Sequence, residues 1–106
     1  MNIVTLAECK ERLSIDFDTK DSEITIMASS IESYLFFGAG IEGDSLNDEK
    51  VLALAKEYIL LKLYLDYYNA HTQIDDMRLT AIMKQLQVVA MLWIHVKMKK
   101  YNFIEK

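Results

Sequence analysis

Asp16-Phe17-Asp18 has the alternating carboxylate spacing that opens a calcium-binding loop, where side-chain oxygens wrap a hard cation. The pattern then fails. Lys20 stands at the third ligand position, Asp21 where the turn needs glycine, and Met27 where a bidentate glutamate belongs. Helix capping and loop solvation account better for these acids. His71 and His95 are the only histidines, and neither falls in a metal-ligand spacing such as HExxH. His71 reads as a turn residue. His95, at the end of an apolar run, reads as a satisfied core or interface side chain. Cys9 is flanked by Lys10 and Arg12, and nearby cations can lower a thiol's pKa. With no histidine partner and no CxxC, burial of a small residue is the better reading. Phosphate-cradling glycine loops and the nucleophile elbow GxSxG are absent from the sequence. The expectation is a non-enzyme with no catalytic residues, no cofactor and no metal site.

One further group has chemistry of a different kind. Trp93, Tyr101 and Phe103 are interleaved with Lys97, Lys99 and Lys100. Such a series can stack on single-stranded nucleic acid, anchor on another protein, or pack on the chain's own core. A protein interface made by these six residues is the functional expectation, and self-packing is the alternative.

The elements that would carry these residues are helical. The 106-residue chain has no proline, and its three glycines, Gly38, Gly40 and Gly43, fall in one stretch, so long helices with one clear break are expected. Thr5-Leu6-Ala7-Glu8 is a capping box, which starts a short helix over 6–13. Residues 14–20 read as a loop. Asp21 or Ser22 starts a second helix, with Ile24, Met27, Ile31, Tyr34 and Leu35 on one face, that stops at Gly38 near residue 37. A loop follows to Asn47. Asn47 or Asp48 caps a third helix over 48–68, in which fourteen of the eighteen residues from Val51 to Tyr68 are apolar. After a turn at 69–73, Asp75 or Asp76 caps a fourth helix over 76–98. The run Val88–Ile94 is short and β-branched enough to be a strand, although helix is preferred. The fold class expected is all-α, a small bundle of about four helices forming a single domain over 1–106, with 97–106 a tail. Ile24, Met27, Ile31, Leu35, Leu54, Tyr58, Leu61 and Leu65 are the expected core between the second and third helices.

Composition narrows the functions. The hydrophobic share of 52% exceeds what one small domain ordinarily uses, which suggests burial against other chains. The single cysteine excludes an internal disulfide and fits synthesis in a reducing cytoplasm. Residues 1–13 lack the pattern of a signal peptide, and no run is apolar enough to suggest a membrane span. A net charge of −4 argues against phosphate-driven DNA binding. The charge is uneven: residues 1–50 hold eleven acids and four bases, and residues 51–106 hold five acids and eight bases. A subunit polarised in this way suits head-to-tail association.

The phrase Val4-Thr5-Leu6-Ala7-Glu8-Cys9-Lys10-Glu11-Arg12-Leu13-Ser14-Ile15-Asp16 resembles the opening of the head–tail connector (adaptor, head-completion) proteins of tailed bacteriophages. In that family an acidic loop follows, then a helix beginning near an Asp and ending at a Gly, here Asp21 to Gly38, with Ile24, Ala28, Ile31, Tyr34 and Leu35 at its apolar positions. A variable loop, an apolar Leu- and Tyr-rich helix (Val51 to Tyr68) and the phrase Ile82-Met83-Lys84-Gln85-Leu86-Gln87 complete the likeness, which covers residues 3–87. Ser14 stands where Arg is usual, Phe37 where Thr is usual and Asn69 where an Arg often closes the helix. The Pro-x-Gly before the last helix is missing, and residues 88–106 extend past the alignable part. The resemblance implies a structural virion protein, made in the bacterial host cytoplasm and placed in the virion neck. It implies a homo-oligomeric ring, twelve-fold in the virion and compatible with a monomer in isolation, bound to the portal protein and to head-completion or tail proteins. DNA would pass through the ring without specific binding, and no membrane would be involved. The other class compatible with the residues is a small helical regulatory or protein-binding module.

Overall fold

The computed structural model describes residues 3–41 and 43–105; for 43–44 and 93–105 it describes the backbone alone. The chain is all-α, with four α-helices and, among the described residues, no strand. The helices are α1 (Leu6–Leu13), α2 (Asp21–Ala39), α3 (Glu49–Tyr67) and α4 (Gln73–Glu105), with a 3₁₀ turn at Gly43–Asn47.

Local chemistry explains most of the boundaries. At α1, the Thr5 hydroxyl accepts the Glu8 N–H at 3.1 Å, and the Glu8 carboxylate accepts the Thr5 N–H at 3.0 Å. The helix ends with Ser14 in the left-handed region (φ 57°) and the Ile15 N–H reaching back to the Lys10 carbonyl. Asn69 (φ 50°) ends α3 in the same way, with the Ala70 N–H on the Leu65 carbonyl. Asp48 caps α3 by accepting the Lys50 N–H at 2.8 Å.

Three expectations at helix ends are corrected. Gly38 does not stop α2: it lies inside the helix, and Gly40, at φ 68°, is the left-handed cap. The lack of a side chain at Gly38 serves packing instead, since a Cβ there would lie 3.1 Å from Met83 Cε of α4. The segment expected as loop from Gly38 to Asn47 therefore contains the end of α2 and a 3₁₀ turn that packs on α3. α4 is not capped by Asp75 or Asp76. Thr72 caps it, with its hydroxyl accepting the Asp75 N–H at 3.1 Å and donating to the Asp75 carboxylate at 2.7 Å. The helix thus begins at Gln73, and its backbone runs helical through 88–98 and on to Glu105.

The core is one cluster drawn from all four helices and the segment before α1. Ile24, Ile31, Leu35, Tyr58 and Leu65 are buried as expected, whereas Met27, Leu54 and Leu61 are only partly buried against the cluster. The centre of α3 faces elsewhere than expected: Ala55, Ile59 and Leu63 are fully buried. α3 packs on α1, α2 and α4 at once, so most of its circumference is covered, with Ala53 and Tyr64 on the side left exposed. Leu79, Ile82, Leu86 and Ala90 form the inward stripe of α4.

α2 and α4 run in the same direction. Gly38 is level with Met83, and Gly40 with Ala90. At 1.5 Å per residue, α2 and α3 (19 residues each) span about 28 Å and α4 (33 residues) about 50 Å. α4 therefore outruns its neighbours, and the molecule measures 59 × 29 × 20 Å.

Candidate interaction surface

Cys9 is fully buried, and burial raises its thiol pKa, with the negative charges of Glu8 and Glu32 acting in the same direction. The adjacent cations do not activate it. Lys10 turns instead to the loop, pairing with Asp18 at 2.8 Å and Asp21 at 3.0 Å. These contacts hold the Asp18 carboxyl below its usual pKa. Asp18, the second of the two acids that resemble the start of a calcium loop, thus joins Asp21 in fastening the α1–α2 connection to α1. The only signal for this was a lysine one helical turn before the end of a capped helix. Buried Glu32 has a similar local role, accepting the Ile3 N–H at 3.4 Å and tying the chain's start to α2.

His71 lies in the α3–α4 turn and does more than fill it. Its Nε2 lies 2.6 Å from Asp66 near the end of α3, and its Nδ1 2.6 Å from Asp76 in the first turn of α4. The two carboxylates, Asp76 first, raise the imidazole pKa. Two simultaneous short bonds to carboxylates suit the imidazolium, which donates from both nitrogens. A ring engaged at both nitrogens is a clamp between helices and has no free nitrogen to act as a base. The open groove beside it, about 640 Å³, is lined by Asp76, Met77, Thr80, Ala81 and Lys84. Among the described residues, no group of three or more His, Cys, Asp or Glu is arranged to hold a metal ion.

The six residues expected to form a protein interface, Trp93, Lys97, Lys99, Lys100, Tyr101 and Phe103, all lie on the backbone of α4, in the part that outruns the bundle. Their side chains lie outside the described residues. The helical backbone spaces Trp93, Lys97, Lys100 and Tyr101 by four, seven and eight residues, the intervals of a single face, with Lys99 and Phe103 a separate pair four apart.

Sequence reasoning missed a second apolar surface on the same helix. Ile74 (79% exposed), Met77, Val88, Met91 (70%) and Leu92 are all exposed. With Ala81 and Lys84 they follow steps of three and four along the side of α4 opposite the stripe Leu79, Ile82, Leu86 and Ala90. Ile26, Tyr34 and Phe37 (90%) are exposed on α2, where Tyr34 shares a groove with Thr80 and Lys84. The signal was present in the α4 sequence, which carries more apolar residues than one stripe needs.

Compared with models of known protein families, with curated proteins and with solved structures, the chain matches none. Among the described residues, no helix is long and apolar enough to cross a membrane.

Proposed function

We propose that this chain is a structural subunit of the neck of a tailed bacteriophage, one copy in a ring beneath the portal that joins head to tail and extends the DNA channel. The observation that carries the proposal is the opening phrase Val4–Asp16 followed by the order of elements: a short capped helix, an acidic loop, a helix from Asp21, then an apolar helix rich in Leu and Tyr. The all-α fold is compatible with it. A closed ring needs two different, complementary patches on each subunit, because a rotational head-to-tail contact is heterologous. The acidic first half and basic last part of the chain meet that requirement. So does the supply of exposed apolar residues on α2 and α4. Part of the acidic charge is already engaged within the chain, Asp18 and Asp21 by Lys10 and Glu23 by Lys20. The complementary patch is therefore narrower than the composition suggests. An acidic lining would let DNA pass without retaining it.

The C-terminal part of α4, with Trp93, Lys97, Lys99, Lys100, Tyr101 and Phe103, is the segment assigned to the portal or the adjacent subunit. Removing residues 97–106 is expected to abolish incorporation into particles while the isolated chain stays folded. Particles that carry the truncated protein at normal copy number and remain infectious would overturn this role. Electron microscopy of the neck of assembled particles tests the whole proposal. A neck without density for this chain would leave a small helical regulatory or protein-binding module as the reading.

A further inference from the structure

We propose that His71 is a proton-operated latch on the first turn of α4: the charged ring ties Asp76 to Asp66, and loss of one proton frees Asp76 while Asp66 keeps the ring through Nε2–H. The latch goes beyond the connector proposal and does not depend on it.

Geometry and valence carry the latch. His71 stands between the two helices, with Nε2 2.6 Å from Asp66 of α3 and Nδ1 2.6 Å from Asp76 of α4. An ionised carboxylate only accepts hydrogen bonds, so each contact needs a proton on the ring nitrogen. The imidazolium has two such protons and the neutral ring has one. Once a proton has left for water, one nitrogen turns a lone pair on a carboxylate oxygen, and that contact must open.

The surroundings decide which contact opens. Asp66, 30% exposed, is held from a second side, because Lys62, one turn back on α3, reaches its other oxygen at 3.3 Å. Asp76 is 56% exposed, and among the described residues its carboxylate has the ring as its one partner. Lys84, the cation lining the same groove, lies eight residues along α4, about 12 Å of helix rise away. Asp75 is turned to Thr72. Asp76 pulls harder than Asp66 on the charged ring, as a carboxylate not shared with a lysine should. That pull goes with the ring's charge. Asp76 then turns to water at little cost, and Asp66 stays where Lys62 holds it.

The opening is confined. Arg78 stays paired with Glu57, the Thr72 cap does not involve the ring, and Leu79 begins the stripe docked in the core. The proton therefore sets the freedom of residues 71–77 and of the groove wall of about 640 Å³ that Asp76 and Met77 form. Below the midpoint of the ring's titration this wall is pinned to α3, and above it the pin is drawn.

The test uses the full-length chain with ¹⁵N-labelled histidine. Across a pH series, ¹H–¹⁵N correlations of the His71 ring should show both nitrogens protonated on the acid side, then Nε2 protonated and Nδ1 bare on the alkaline side. Amide exchange, corrected for its intrinsic pH dependence, should show a severalfold loss of protection at Asp76 and Met77 through the same midpoint, and none at Ile82 or Leu86. In Asp76→Asn the new amide can donate to the bare Nδ1, so the latch should stay shut in alkali and the exchange step should vanish. Asp66→Asn should invert the tautomer, placing the remaining proton on Nδ1 toward Asp76. A neutral wild-type ring protonated on Nδ1, or an even mixture of the two forms, would overturn the latch without recourse to any variant. So would an exchange step of equal size in Asp76→Asn and the wild type.

Discussion

α3 and α4 are both rich in apolar residues, but they are surrounded differently. α3 touches every other helix, so Ala55, Ile59 and Leu63 on one side and Tyr58 and Leu65 on another are all buried. α4 docks along one stripe, leaving Ile74, Met77, Val88, Met91 and Leu92 exposed on its far side. Most of the apolar residues around this central helix are used within the fold, Tyr64 being the large one left exposed. The same content on a peripheral helix is more than its one docked stripe can cover. Hydrophobicity along the sequence therefore does not separate buried from exposed apolar residues; the placement of the helix in the bundle does.

The sharpest way to break this comparison is to truncate one residue from each helix. Leu63→Ala removes a fully buried side chain among three helices and should cost about 2–5 kcal/mol in chemical denaturation. Met91→Ala should stay within about 0.5 kcal/mol when measured at concentrations low enough to keep the chain monomeric. Leu61, part-buried on α3, should fall between them. If Met91→Ala destabilised the monomer as much as Leu63→Ala, the far side of α4 would belong to the chain's own core.

The same contrast explains what could be read in advance. Helix positions followed from side-chain chemistry acting over one turn: the Thr5–Glu8 box and Asp48. The inward face of α2 followed from its spacing at Ile24, Ile31 and Leu35, whereas Tyr34, expected on the same face, is exposed and Ala28 and Glu32 are buried. The inward face of α3 did not, because Lys56, Lys62 and Asp66 suggested a polar side at Ile59 and Leu63. Those charges instead reach outward from part-buried positions, Lys56 to Glu8 at 3.2 Å and Lys62 to Asp66 at 3.3 Å. Gly38 was read as a stop because glycine most often ends helices, whereas the approach of Met83 is a tertiary fact without local trace. The His71 clamp was equally hidden. Asp66 and Asp76 are each five residues away, and they converge on the ring only after α3 and α4 turn back on each other.

Two helix ends sharpen the comparison at lower energy. Gly40→Ala puts a Cβ on a residue at φ 68°, in ordinary van der Waals contact with Ala90 Cβ at 4.0 Å and with no clash, so the cost should be the left-handed backbone alone, about 1–2 kcal/mol. Gly38→Ala, where the nearest atom is the flexible end of Met83, should be milder if that side chain can shift. A larger cost at Gly38 would show that the α2–α4 contact is rigid there. Thr5→Ala removes the α1 cap and should cost about 1 kcal/mol. Glu8, held below the usual carboxylate range by the Thr5 N–H and then by Lys56, adds a pH signature. Its contribution should be present near neutrality and lost as pH falls through the lowered pKa.

The smallest effect expected is at the junction between the two compared helices. His71 joins the end of α3 to the start of α4 through Asp66 and Asp76, yet its side chain is a third exposed, so solvent screens much of the interaction. Its pKa is raised in the folded chain from an ordinary value of 6.5. A raised folded pKa means that the folded state holds the proton more tightly than the unfolded state. The contribution is therefore complete below about 6.5 and disappears as pH rises through the folded value. The stability difference between the wild type and His71→Gln should follow that course, largest on the acid side and vanishing in mild alkali. An NMR titration of the ring should place its midpoint above 6.5, and Asp76→Asn should lower that midpoint more than Asp66→Asn, since Asp76 is the larger cause. A midpoint at or below 6.5 would mean that the two carboxylates do not grip the ring in solution. The turn would then join α3 to α4 through the Thr72 cap and the chain's continuity alone.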